Sequence, residues 1–156
     1  MVDEYLYREP TAEDIAQLAE NLRDEDRKEV AGMTGYNFKA ELEHCVKSSA
    51  KCWCCLYGDK VLAAFGVIPT NPMEREGIVW MLASRYTAEH KVYTGRWSKR
   101  GIQALLKEWD FLYNYVDKGN DETIKWLKWI GAEIYPPRPR GIYGLPYHLF
   151  VFRAVK

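Results

Sequence analysis

Lys99, Arg100 and Gly101 stand together in the run Arg96-Trp-Ser-Lys99-Arg100-Gly101. With Ser98 as N-cap, this run reads as the opening turn of a helix. The amides of a first helical turn have no intrahelical acceptor and carry partial positive charge, so such a turn is an anion site. Two cations placed there oppose the helix dipole at a cost of a few tenths of a kcal/mol each. An anionic ligand on the turn would remove that conflict, and so would side chains bent into water. The stretch from Lys91 to Lys107 carries five cations and no acid, which favours the ligand. Gly101 would allow a close backbone approach or serve helix packing. For proton transfer the sequence offers Glu76, on the strand before this turn and on the same face as Leu82 and Ser84 if that strand is regular. Its plainer role is a solvated carboxylate at a strand start. Tyr113, Tyr115, Tyr143 and Tyr147 could donate a proton, although a packing tyrosine with a wet hydroxyl is the more ordinary role of each.

Other constellations carry less. Cys52-x-x-Cys55 has a metal-like spacing, but on a strand the two thiols point to opposite faces. No second ligand pair lies at zinc spacing, with the histidines at 44, 90 and 148, so no metal is expected and Cys45, Cys52, Cys54 and Cys55 read as reduced thiols. His44 and Cys45 are adjacent and diverge on a helix. Trp97, Trp126 and Trp129 could stack nucleobases. With 22 basic against 22 acidic residues the net charge is zero, so nucleic acid is not the expected partner, and core or subunit-interface packing, a homodimer included, explains the tryptophans.

The elements that must position these residues follow from periodicity. Tyr5–Tyr7 reads as a strand, and Thr11 with Asp14 as a capping box before Ile15, Leu18, Ala19 and Leu22. A second helix runs from Phe38 to Val46. Cys52–Tyr57, the turn Gly58-Asp59 and Val61–Ile68 form a hairpin, and Glu76–Ser84 a third strand of that run. Residues 85–97 read as a loop. Ile102, Leu105, Leu106 and Trp109 share a face of the next helix. Phe111–Val116 is a strand, Asn120 caps a helix with Thr123, Ile124, Leu127 and Ile130 on its stripe, and Gly131 ends it. Ala132–Tyr135 and His148–Phe152 are the last strands, separated by a Pro/Gly-rich loop. One α/β (α+β) domain over residues 1–156 is expected, with a mixed, mostly antiparallel sheet, a central parallel pair and about four helices on its faces. No apolar run suits a membrane span and the N-terminus lacks a secretion signal, so a non-secreted, cytoplasmic protein is expected.

This element order resembles the GNAT (GCN5-related N-acetyltransferase) family. Two segments carry the likeness. Asn120-Asp-Glu-Thr-Ile-Lys-Trp-Leu-Lys-Trp-Ile-Gly131-Ala132 is similar to that family's fourth-helix signature, with Ala132 in place of Phe and Leu127 where many members carry an acid Tyr. Arg96 to Gly101 is similar in outline to the family's pyrophosphate loop, Gln/Arg-x-x-Gly-x-Gly/Ala, with Lys99 at the first Gly. The resemblance implies acetyl-CoA in a gap between the fourth and fifth strands. Backbone groups of Leu82, Ala83 and Ser84 would pair with pantetheine and Asn120 would face it. Arg96, Lys99, Arg100 and Gly101 would hold the diphosphate while a primary amine attacks the thioester. Leu112-Tyr-Asn-Tyr-Val-Asp-Lys-Gly-Asn120 with Ile130-Gly-Ala132 also resembles the small GNAT-like internal virion protein of short-tailed phages. That narrower likeness implies a protein of the virion or the host cytoplasm, acting on host or virion proteins with or without catalysis. A plain interaction module built on aromatic surface is the third reading.

Overall fold

The computed structural model of the chain describes residues 4–155. Strand β1 (Tyr5–Arg8) leads into α1 (Ala12–Glu20) through the expected capping box. Thr11 Oγ1 accepts the Asp14 amide at 3.1 Å, and the Asp14 carboxylate accepts the Thr11 amide at 3.0 Å. Two further helices follow, α2 (Asp24–Thr34) and α3 (Phe38–Ser48). The hairpin of β2 (Lys51–Tyr57) and β3 (Lys60–Asn71) turns at Gly58-Asp59, with Gly58 at φ +61°. A 3₁₀ turn leads to β4 (Glu76–Ala83), and a second, Arg85–Glu89, to α4 (Lys91–Leu105). Then come β5 (Phe111–Asp117), α5 (Asp121–Ile130), β6 (Glu133–Ile134), β7 (Arg138–Arg140) and β8 (Leu145–Arg153).

The strands form one sheet in the order β1-β2-β3-β4-β5-β8-β6, with β7 beside β8. All pairs are antiparallel except β4–β5. Side-chain alternation sends Trp80 and Leu82 of β4 to one face, where they pack with Leu18, Leu42 and Cys54 under α1 and α3. Val79 goes to the other, with Leu105, Leu112, Leu127 and Phe150 around α4 and α5. Asn120 caps α5 by accepting the Thr123 amide at 3.3 Å, and Gly131 closes it at φ +116°. The mixed, mostly antiparallel sheet with one parallel pair is the architecture the sequence implies, and five α-helices are present among the described residues.

Two boundaries correct the reading from sequence. Helix α2 was not expected, because Asp24-Glu-Asp-Arg-Lys-Glu29 offers no apolar stripe. Its acidic first turn suits the helix dipole, and the face it buries carries Asp26, Ala31 and Gly32. Helix α4 begins at Lys91, not at Ser98. Ser98 sits in its middle and donates to the Thr94 carbonyl at 2.7 Å, as Thr94 does to His90 at 2.6 Å. Hydroxyls that cap a helix also bond back inside one. Aromatic packing holds these early turns: Tyr93 stacks on Tyr5 with centroids 3.4 Å apart and Trp97 on Tyr7 at 5.4 Å.

Candidate active site in the forked strands

Strands β4 and β5 pair only from Glu76–Phe111 to Ile78–Tyr113 and then diverge. Backbone groups facing an open fork must find other partners or a ligand. Asn114 of β5 donates its side-chain amide to the Val79 carbonyl at 2.8 Å, at the crotch. At the far end of β4, the Ala83 amide donates to Asp26 Oδ2 at 2.6 Å, and the Ala83 carbonyl accepts the Arg23 amide at 2.9 Å. Across the fork, the Asp117 amide donates to Glu29 Oε1 at 3.3 Å. Helix α2 therefore bridges the two strands with carboxylates one turn apart. Alternation along β4 puts Met81, midway between Val79 and Ala83, with its amide and carbonyl on the gap side.

A cavity of about 790 Å³ fills the fork and reaches both faces of the sheet, with Asp26 and Glu29 on one wall and Thr94, Trp97, Ser98, Trp126 and Leu127 on the other. Its floor is apolar, and its rim includes Arg85 and Lys91 where β4 passes into α4. The turn between them is Arg85-Tyr-Thr-Ala88-Glu-His90, held by the Thr87 hydroxyl donating to the Ser84 carbonyl at 2.8 Å. Lys91, Val92 and Tyr93 form the first turn of α4, whose amides lack intrahelical acceptors.

Glu29 and Asp26 are both perturbed carboxylates on the cavity wall, each raised by burial first. Glu29 accepts the Asn120 side-chain amide at 2.9 Å as well as the Asp117 amide. Burial pushes its carboxyl up to about 7; the Asn120 hydrogen bond works against that rise and the nearby Asp26 charge adds to it. Asp26 is 4% exposed and paired with Arg23 at 2.9 Å. Tyr147 donates to the Glu29 carbonyl at 3.1 Å and is wholly buried. Gly32 makes room for it, since a Cβ there would overlap the tyrosine hydroxyl.

The residues singled out from sequence fall in different places. Asn120 lies behind Glu29, outside the cavity lining, with its side chain engaged by Glu29 and by the Thr123 amide of α5. Glu76 stands at the closed end of the fork, outside the cavity lining. Of the expected strand backbone, Leu82 pairs with Ala64 of β3, the Ser84 amide donates to the Leu62 carbonyl at 2.8 Å, and Ala83 is spent on Asp26 and Arg23. Met81 is the residue left facing the gap. Arg96, Lys99, Arg100 and Gly101 lie in the second and third turns of α4, away from its open amides, because the helix starts earlier than expected. Lys99 lies over the Trp129 ring at 4.6 Å, Arg96 and Arg100 are exposed, and a Cβ on Gly101 would meet only Phe65, at 3.7 Å. The turn that precedes the open amides of α4 is Arg85 to His90. Of the tyrosines, Tyr115 lines the cavity, Tyr143 is exposed, Tyr113 sits at the closed end, and burial pushes the Tyr147 hydroxyl up to about 12. Leu127 contributes an apolar wall. Sequence missed Asp26 and Glu29; their i, i+3 spacing is visible, but only the helix reveals what they bridge. Cys45, Cys54 and Cys55 are buried thiols pushed up to about 12, by burial first in each. Among the described residues, no helix is long and apolar enough to cross a membrane.

No family model matches the sequence, and no curated protein sequence does. Solved structures match at the level of fold. Ard1 from Thermoplasma volcanium is 12% identical, with 97% of this chain and 99% of that one covered at TM-score 0.75. An acetyltransferase of GNAT family from Streptococcus pneumoniae is 13% identical, covering 96% and 99% at TM-score 0.65. The spermidine N-acetyltransferase of Vibrio cholerae, solved in complex with CoA and spermine, is 11% identical, covering 96% and 95% at TM-score 0.70. The chain thus has the GNAT fold over nearly its whole length. None of these structures bears on the narrower phage likeness.

Proposed function

We propose that the chain is an N-acyltransferase that uses an acyl-CoA, most simply acetyl-CoA, to modify a primary amine. The observation that carries this reading is the fork itself: an extended backbone residue, Met81, faces an apolar cavity that leads to an open helix N-terminus. The residues present fit a CoA thioester. The Met81 amide and carbonyl can extend the ladder to the amides of the pantetheine arm, as a strand partner would. The amides of Lys91, Val92 and Tyr93, with Arg85 and Lys91 beside them, suit a diphosphate. Bound acyl-CoA would supply an activated carbonyl, with Met81, Arg85 and Lys91 the residues that would hold it. Leu127 offers no hydroxyl to a leaving thiolate. We assign the proton for that thiolate to Tyr115, which lines the cavity.

Amide NMR tests this reading. Titration with CoA is expected to move the Met81, Lys91, Val92 and Tyr93 amide signals most, with little change at Lys99–Gly101. Shifts confined to Lys99–Gly101, or none at millimolar CoA, would overturn it. The second outcome favours a protein that keeps the fold without the chemistry, which includes the virion or host-directed role that the phage likeness implies.

A further inference from the structure

Trp97 and Phe65 belong to the walls of two cavities at once. One is the fork; the other, of about 350 Å³, lies between the β1–β2–β3 part of the sheet and α4. Trp53 and Phe65 are direct cross-strand partners in β2 and β3, and side-chain alternation puts Tyr7 of β1 on the same face. Trp97, Gly101, Ala104 and Leu105 face these rings from one edge of α4, at helical spacing. Gly101 and Ala104 are too small to fill the space, and even a Cβ on Gly101 would stand 3.7 Å from the Phe65 ring.

The rings make two walls. Trp53 lies along Phe65 with centroids 5.1 Å apart and planes at 29°, and Tyr7 along Trp97 at 5.4 Å and 23°. The walls meet where Trp97 stands edge-on to Phe65, at 84°. A planar ring laid flat on one wall turns its edge to the other, so it meets both geometries that aromatic quadrupoles favour. At the mouth Lys51 pairs with Glu108 at 3.2 Å, and both side chains are more than half exposed. So exposed a pair contributes about 0–1 kcal/mol. A ligand that replaces it with charged contacts of its own gives up little.

We propose that this slot binds a free aromatic amino acid, with its ring in the corner, its ammonium on Glu108 and its carboxylate on Lys51. Charge complementarity selects the occupant. A simple or quaternary ammonium would meet Glu108 but also the Lys51 cation, and an acidic ring compound would meet Lys51 but also the Glu108 carboxylate. Because the two side chains start in contact, the ligand that answers both carries its two charges on neighbouring atoms, as the α-carbon of a free amino acid does. An aromatic residue within a peptide, or at either end of one, lacks at least one of them. The slot stands apart from the fork, and the proposal holds whether or not the chain is an N-acyltransferase.

Calorimetric titration of the full chain near neutral pH tests this with L-tryptophan. The controls are tryptamine, which lacks the carboxylate, 3-indolepropionate, which lacks the ammonium, and L-leucine, which lacks the ring. L-tryptophan is expected to bind, and each control to bind several-fold more weakly. Lys51→Gln is expected to abolish the preference over tryptamine, and Glu108→Gln the preference over 3-indolepropionate; both side chains are exposed, so the fold is retained. Trp53, outside the lining of the fork, supplies one wall, and Trp53→Leu is expected to weaken L-tryptophan by roughly tenfold or more. If that variant fails to fold, the two charge variants decide. No binding of L-tryptophan at millimolar concentration, equal affinity for any of the controls, or preferences that survive both charge variants would overturn the proposal. So would full affinity in folded Trp53→Leu, which would put the amino acid elsewhere, the fork included.

Discussion

The two ends of the β4–β5 pair are built from the same strands by opposite means. At the closed end the backbones satisfy each other, and Gly77 lets the sheet pack tightly against Val67 and Trp109. At the open end the ladder is gone, and side chains take its place: Asn114 at the crotch, Asp26 on β4, Glu29 on β5. Backbone pairing needs no particular side chain, whereas a fork held by carboxylates and an amide depends on each of them. The open end should therefore be fragile to polar substitutions and the closed end to steric ones.

The largest effect is expected at Asp26→Ala. It leaves the Ala83 amide without its acceptor and the Arg23 guanidinium without its partner, and should cost about 3 kcal/mol by chemical denaturation. A cost under about 1 kcal/mol would mean that α2 does not brace the fork. At the closed end Gly77→Val should cost about 2 kcal/mol through overpacking, since even a Cβ there would lie 2.6 Å from Val67 Cγ1. Glu29 should show itself through pH. Its folded pKa, about 7, lies above the ordinary 4.5, so the folded protein binds the extra proton. Its contribution is then fully present below about 4.5, lost as pH rises to 7, and absent above. Glu29→Gln should gain about 1–2 kcal/mol on the wild type at pH 8 relative to pH 5, after a discount for the face open to the cavity; an equal difference at both pH values would contradict this. The smallest effect is expected at Asn114→Ala, about 1 kcal/mol for one hydrogen bond, with amide exchange quickening around the crotch and not at Gly77.

The same contrast explains what could be read from the sequence. The hairpin at Gly58-Asp59, the Thr11–Asp14 capping box and the helix from Asn120 to Gly131 are local patterns, and each appears where its residues place it. The open end of the fork is not local. Asp26 and Ala83 meet across 57 positions and Glu29 and Asn120 across 91, and nothing in Asp24-Glu-Asp-Arg-Lys-Glu29 marks two of its carboxylates for burial. The start of α4 was hidden differently. Gly95 and the hydroxyls of Thr94 and Ser98 resemble loop chemistry, and the stacking that keeps them helical comes from β1. Moving that start from Ser98 to Lys91 moves the open helical amides away from Lys99 and Arg100, which is why the anion site we propose lies at Arg85 and Lys91.

Calorimetric titration with acetyl-CoA puts that displacement, and the cofactor groove itself, to the most direct test. The structure leads us to expect binding by the wild type, retention in Lys99→Glu/Arg100→Glu, and loss in Arg85→Glu/Lys91→Glu. Absence of binding at millimolar acetyl-CoA, or loss in the first pair with the second unaffected, would contradict the account.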